Sequence, residues 1–272
     1  MLRWITKIKT FLCASSLIVS IASDAHPHPV ELELYTQEFP PLQVEVDGVA
    51  EGYVVKFVEA VVQDAAQSLP MEVHQVHFTP WKRAMRITQN RANALFFSVS
   101  RTPVREDKFH WIGEVSPYEV GIYRHITGPK LETDELQALK GYRFGAQTEG
   151  SFEELIESLG FQRIIPVNYG KDAIRLLRAN RVDYAPLVTV SYPYRMEQYG
   201  FDPDNFVEVM KVKQLCKALW LVTGKQTSPE VVSALSHSFE TLKKQGKLAA
   251  LIDAYQPDSA VMLRYRKQAA KR

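Results

Sequence analysis

From Glu31 onward the spacing of apolar and polar positions switches period repeatedly. The stretch "ELELYT" (31–36) alternates and predicts a strand, whereas "YVVKFVEAVVQDAAQSL" (53–69) sets Val54, Phe57, Val58, Val61, Ala65 and Leu69 on one helical face. "MEVHQVHF" (71–78) returns to the strand period. "TPWKRAMRITQNRA" (79–92) then predicts a helix with Thr79 as N-cap and Pro80 first in the helix, where a missing N–H costs least. The apolar run "NALFFSVS" (93–100) is the next strand. A β-α-β-α-β order implies a largely parallel sheet covered by helices.

A second series follows "GPKLETDELQALKG" (128–141). "YRFGAQ" (142–147) predicts a strand and "EGSFEELIESLG" (149–160) a helix, opened by a capping box from Ser151 to Glu154 and closed by Gly160. "RIIPV", "KDAIRLLRAN" and "VDYAPLV" continue the alternation. "SPEVVSALSHSFETLKKQGKLAALIDAYQ" (228–256) predicts two helices, the first started by Ser228 and Pro229, with Gly246 between them. The extended stretches 113–125 and 212–224 flank the second series, and two such crossings between lobes make a hinge.

The N-terminus changes the picture of where the chain works. "MLRWITKIK" carries Arg3, Lys7 and Lys9, and the apolar run after it is about a dozen residues, short of the roughly 20 that span a bilayer. With "SDA" at 23–25, this predicts a signal peptide cleaved near Ala25 and a periplasmic chain. Cleavage removes three of 33 basic residues and one of 31 acidic residues. The balanced body that remains argues against a nucleic-acid partner. Cys13 lies in the leader, so Cys216 has no intramolecular partner. The basic tail "RYRKQAAKR" from Arg264 is expected to be a frayed, solvated terminus.

Candidate chemistry gathers where strands end, because ligands of parallel α/β sheets bind beyond the carboxyl ends of their strands. There "SVSRTPVRE" offers Ser98, Ser100, Arg101, Thr102 and Arg105. An arginine fork holds a carboxylate through paired charge-assisted hydrogen bonds, and neighbouring hydroxyls satisfy its other lone pairs. In the second series "GAQTEGS" leads into a helix N-terminus beside Thr148, a setting for an anion. Tyr35, Phe39, Trp81 and Tyr118 supply aromatic walls. His74 and His77 are three apart on a strand and face opposite ways, so no metal is expected there. No phosphate-cradling loop, nucleophile elbow or cysteine cluster marks an enzyme or a cofactor.

Taken in order, "YTQEFPPLQV", "FTPWKRAM", "SVSRTPVRE", "FHWIGEVSPY", "FGAQTEGS" and "LLRANRVDYA" resemble the family 3 periplasmic solute-binding proteins that serve polar amino acid ABC transporters. The resemblance covers Leu32 to about Tyr255. It implies an α/β, two-lobed type II fold hinged by two crossing strands: a first lobe over 26–118, a second over 119–214, and a return over 215–272. By the same resemblance Arg105 grips a ligand carboxylate, with Ser98 and Ser100 beside it. Gln147, Thr148 and Ser151 cap that carboxylate from the second lobe, and Tyr35, Trp81 and Tyr118 wall the pocket. Members that bind amino acids usually pair the ligand ammonium with a second-lobe carboxylate, and here that place is Val188 with Thr189 beside it. Asn93 likewise replaces a common aspartate.

The expected function is a monomeric binding protein for a small carboxylate-bearing solute, an amino acid or a relative, handed to an ABC permease. One alternative is a sensory protein signalling to a membrane receptor. Another is a cyclohexadienyl dehydratase-like enzyme, which needs a cleft acid such as Glu38, Glu119 or Glu149.

Overall fold

The computed structural model describes residues 28–270, so the expected signal peptide lies outside the described residues. The first part of the chain forms β1 (Val30–Thr36), a separate two-stranded hairpin of β2 (Val44–Val46) and β3 (Val49–Glu51), and helix α1 (Tyr53–Ala65). β4 (Met71–Phe78), α2 (Trp81–Asn90), β5 (Ala94–Ser100) and β6 (Phe109–Tyr118) follow. β1 pairs in parallel with both β4 and β5, and every residue of β5 is buried, as a strand covered on both faces requires.

The chain then crosses into a second sheet. There β7 (Val120–His125), β8 (Phe144–Gln147), α3 (Ser151–Ser158), β9 (Ile164–Val167) and α4 (Asp172–Arg178) precede β10 (Ala185–Val188), α5 (Tyr192–Gln198) and β11 (Phe206–Lys211). β7 pairs antiparallel with β10 and β11, β8 pairs parallel with β9, and a parallel bridge from Phe144 to Tyr184 ties the two groups. β12 (Lys217–Gly224) carries the chain back, inserted antiparallel between β5 and β6 in the order β4-β1-β5-β12-β6. Helices α6 (Pro229–Lys244), α7 (Lys247–Ala254) and α8 (Ala260–Ala269) complete the fold.

Separate apolar clusters cover the two sheets. On the first, Phe57 of α1 meets Phe239 of α6 edge to face at 5.1 Å between centroids. Gly113 of β6 lets that ring lie on the strand, since a Cβ there would fall 2.1 Å from the Phe239 ring. The expected face of α1 is the buried one, with Val54, Phe57, Val58, Val61 and Ala65 all inside. Ser228 caps α6 by accepting from the Val231 amide, and Gly246 turns the chain at φ 79° before α7.

Three expectations need correction. The N-cap of α2 is Pro80, whose carbonyl accepts from Ala84, so Thr79 lies one residue outside. Ser151 and Glu154 do not form a capping box: Gly150 is the N-cap of α3 without a side-chain bond, and both side chains are drawn to the first lobe. The tail from Arg264 is not a frayed end over its described part, because α8 runs to Ala269 with Met262, Tyr265 and Ala269 buried. Among the described residues no helix is long and apolar enough to cross a membrane.

Candidate functional site

A cavity of about 140 Å³ lies between the two sheets and is lined from both. Ser98 and Ser100, two apart on β5, turn the same way into it, beside Gln43 and Trp81. The pairing of β12 with β5 slips between Trp220 and Val222, and Ser98 adopts φ 65°. A serine at positive φ is uncommon and costs backbone energy of about 1–3 kcal/mol. That conformation aims the Ser98 hydroxyl at Gln43 Oε1, 2.8 Å away.

Arg105 follows in the turn over Pro103–Lys108 and is fully buried. All five of its N–H donors are used within the protein. Nε and Nη2 donate to Glu154 Oε1 at 3.0 and 2.8 Å, and Nη2 also donates to the Glu149 carbonyl at 2.8 Å. Nη1 donates to the carbonyl and the hydroxyl of Ser100 at 3.1 and 2.9 Å. Thr102 Oγ1 donates to the other Glu154 oxygen at 3.0 Å. A carboxylate of the second lobe thus sits on the guanidinium for which the sequence suggested a ligand carboxylate, and Arg105 lies behind the cavity wall.

Trp81 reinforces this contact. Its ring lies 5.4 Å below the Arg105 guanidinium and its Nε1 donates to the Glu149 carbonyl at 3.1 Å, while Lys82 pairs with the Glu149 carboxylate at 2.8 Å. Glu149 itself is held at φ 58°. Tyr118, at the first crossing, bonds the Ser151 hydroxyl at 3.2 Å, and burial raises its phenol pKa. Gln147 donates to Gln37 Oε1 at 2.6 Å and to the Asn168 carbonyl at 3.1 Å.

Of the residues singled out from the sequence, Ser98, Ser100, Trp81, Tyr118, Gln147 and Ser151 converge on the cavity. Arg105, Tyr35 and Thr148 do not line it. Tyr35 is buried in the cluster beneath α2, stacked on His77 with its hydroxyl on Glu33. Thr148 is fixed by its backbone amide on the Val167 carbonyl.

The charged part of the cavity is one the sequence did not reveal. Glu38 Oε1 accepts from Arg195 Nη1 at 2.7 Å and from the Tyr265 hydroxyl at 2.6 Å, with Lys171 Nζ at 3.8 Å. Arg195 also donates to the Glu38 carbonyl at 2.7 Å and to Gln198 at 2.8 Å. Burial pushes the Glu38 carboxyl pKa up, but the charges of Arg195 and Lys171 and the hydrogen bonds from Tyr265 and Arg195 outweigh it. The group is held down at about 2. Glu119 and Glu149 face outward and pair with Lys211 and Lys82, so of the three carboxylates considered as a cleft acid only Glu38 lines the cavity, and it is ionised. Val188 forms apolar wall, opposite Val120 in the strand register. Lys171 is the N-cap residue of α4 and Arg195 stands in α5, and neither segment's sequence differs from a solvated one, so only their convergence on Glu38 could have marked them.

No protein-family model matches the sequence, and no curated protein matches it. Solved structures do. A histidine kinase sensor domain with similarity to periplasmic binding proteins superposes with a TM-score of 0.72 at 18% identity, over 84% of this chain and 96% of that one. An ancestral arginine-binding protein bound to arginine gives 0.68 at 15%, over 83% and 97%. The substrate-binding protein of an amino acid ABC transporter also gives 0.68 at 15%, over 83% and 98%. The chain therefore has the α/β, two-lobed fold of periplasmic binding proteins.

Proposed function

We propose that the chain is an exported solute-binding protein that encloses a small carboxylate-bearing solute between its lobes and presents the closed form to a membrane partner. The observation that carries this reading is the cavity lined by both lobes, with hydroxyls, aromatic walls and a carboxylate, Glu38, held by Arg195 and Lys171. Ligand contact with both lobes favours the closed over the open state, which is what a partner reads. In this reading the lobes divide at residues 118 and 214 and close about the two crossings, and the likeness to the substrate-binding protein of an amino acid ABC transporter supports a permease as partner.

A sensory role is the second reading. It is favoured by the likeness to a histidine kinase sensor domain and by the Arg105–Glu154 contact, which lets the lobes meet through the protein's own charges. Binding is preferred to catalysis because the one carboxyl on the cavity wall is held ionised and has no proton to deliver near neutral pH.

Thermal unfolding of refolded protein against amino acids, their deaminated acids, small peptides and polyamines tests the binding reading. A true ligand at about 100 times its Kd adds roughly 2.7 kcal/mol and raises Tm visibly. No shift with any compound would overturn it.

A further inference from the structure

A solute's carboxylate needs hydrogen-bond donors that the protein has not already spent, and this step rests on the binding role proposed above. Arg105 spends all its N–H groups within the protein, Trp81 spends its Nε1–H on the Glu149 carbonyl, and Gln147 donates to Gln37 and Asn168. Gln43 is different. It is 2% exposed, it lines the cavity, and its Oε1 accepts from the Ser98 hydroxyl at 2.8 Å. Its Nε2 has no hydrogen-bond partner among the described residues. The sealed polar side-chain atoms without a partner are the hydroxyls of Thr88 and Tyr194, so the Gln43 Nε2 opens onto the cavity and not into the core.

The amide is held in that sense. Turning it over would put Nε2 on Ser98 and leave the Ser98 proton without an acceptor in a buried setting, which is unfavourable. The backbone beneath is pinned as well. Phe39 and Gln43 exchange N–H···O bonds at 2.8 and 3.0 Å, and the Leu42 carbonyl accepts from the Val54 amide at the start of α1. Gly52 permits that approach, since a Cβ there would fall 2.3 Å from the Leu42 oxygen.

Ser100 adds a donor beside Gln43. Its oxygen accepts from Arg105 Nη1 at 2.9 Å, and its proton has no acceptor among the described residues. Ser98, which touches Gln43, and Ser100 turn the same way from β5, so the N–H groups of Gln43 and the O–H of Ser100 share one end of the cavity. A carboxylate accepts at about four lone-pair sites and donates nothing, so it can take all of these donors. A primary amide accepts at a single oxygen and brings N–H groups of its own into a cluster of donors.

We infer that Gln43 anchors the solute's carboxylate from the first lobe, the role for which the sequence suggested Arg105. Ser100 is the second donor, and Ser98 is the positioning residue that orients the Gln43 amide.

Calorimetric titration of refolded protein tests this with leucine, phenylalanine, 4-methylpentanoate and 3-phenylpropanoate, each beside its own primary amide. A cavity of about 140 Å³ is close in size to one of roughly 150 Å³ that holds benzene, and the bodies of these solutes are of that order. At least one acid is expected to bind more tightly than its amide by about tenfold or more, the worth of a hydrogen bond to a charged group. Gln43→Met keeps the length of the side chain and loses its donors. Gln43→Glu keeps an acceptor for Ser98 and sets a carboxyl where the solute's is received. Both are expected to erase the preference for the acid, with the folded state intact by circular dichroism, whereas a merely structural Gln43 would weaken acid and amide alike.

Equal binding of acid and amide by the unsubstituted protein overturns the inference while leaving the binding role standing, and that comparison needs no variant. An acid preference that survives in Q43M or Q43E also overturns it. If none of the four acids binds but another class in the wider panel does, the inference falls alone; if nothing binds at all, both readings fall.

Discussion

Two charged clusters join the lobes, and they are built in opposite senses. In one, the first lobe supplies the cation: Arg105 is fully buried and spends every donor on Ser100, Glu149 and Glu154. In the other, the first lobe supplies the anion: Glu38 gathers Arg195, Lys171 and Tyr265 at the cavity wall. The first cluster is internally complete and leaves a ligand nothing to bind. The second lines the cavity through Glu38, Lys171 and Arg195, so it is the place where a ligand meets charged side chains. A buried arginine at a strand end is therefore not by itself a ligand group; the deciding fact is what already satisfies its donors.

Breaking the first cluster gives the largest effect. Arg105→Ala leaves the Glu154 carboxylate without its cation and strips bonds from two backbone carbonyls, so unfolding in urea is expected to show a loss of about 3–5 kcal/mol. If stability is lost without loss of solute affinity, Arg105 is a latch; loss of affinity in excess of the stability change would make it a ligand group after all.

The second cluster is tested by pH. The Glu38 pKa is depressed in the folded state, from an ordinary value of 4.5 to about 2, so its contribution is present above the unfolded value and fades as pH falls through the folded one. On the order of 3 kcal/mol is lost between about pH 5 and pH 2 from this group. Glu38→Gln is expected to flatten that part of the stability curve, whereas an unaltered slope would refute the assignment.

Smaller substitutions sharpen the contrast. Tyr265→Phe removes a hydrogen bond to an ionised carboxylate and is expected to cost about 1.5–3 kcal/mol in chemical denaturation. Trp81→Phe keeps a smaller aromatic ring near Arg105 and loses the bond to the Glu149 carbonyl, with an expected cost of about 0.5–1.5 kcal/mol from that bond. If W81F proves more damaging than Y265F, the ring packing against Phe96 outweighs its polar edge.

The legibility of the chain follows the range of each interaction. Strand β5 and the apolar face of α1 could be read because burial of a regular element imprints its own period on neighbouring residues. Six of the nine residues to which the resemblance gave a site role line the cavity because strand ends and helix starts are where such sheets place their loops. The capping box failed for an instructive reason. The pattern Ser151–Glu154 is locally sufficient, yet a buried guanidinium 49 residues away competes for the same carboxylate and wins. A charge-assisted bond in a dry setting outweighs a solvated cap. The tail misled in a related way, since "RYRKQAAKR" is polar enough for a frayed end, but Tyr265 and Met262 find the core.

By itself the sequence determined the order of elements, the faces they bury and an α/β fold, because propensity, capping glycines and hydrophobic period act over a few residues. Only the tertiary structure decided which charges meet. Glu38 reaches Arg195 over 157 residues and Tyr265 over 227, distances at which no local pattern carries information. A buried charge and a solvated one look alike in a sequence, and the difference between them appears only when folding removes the water.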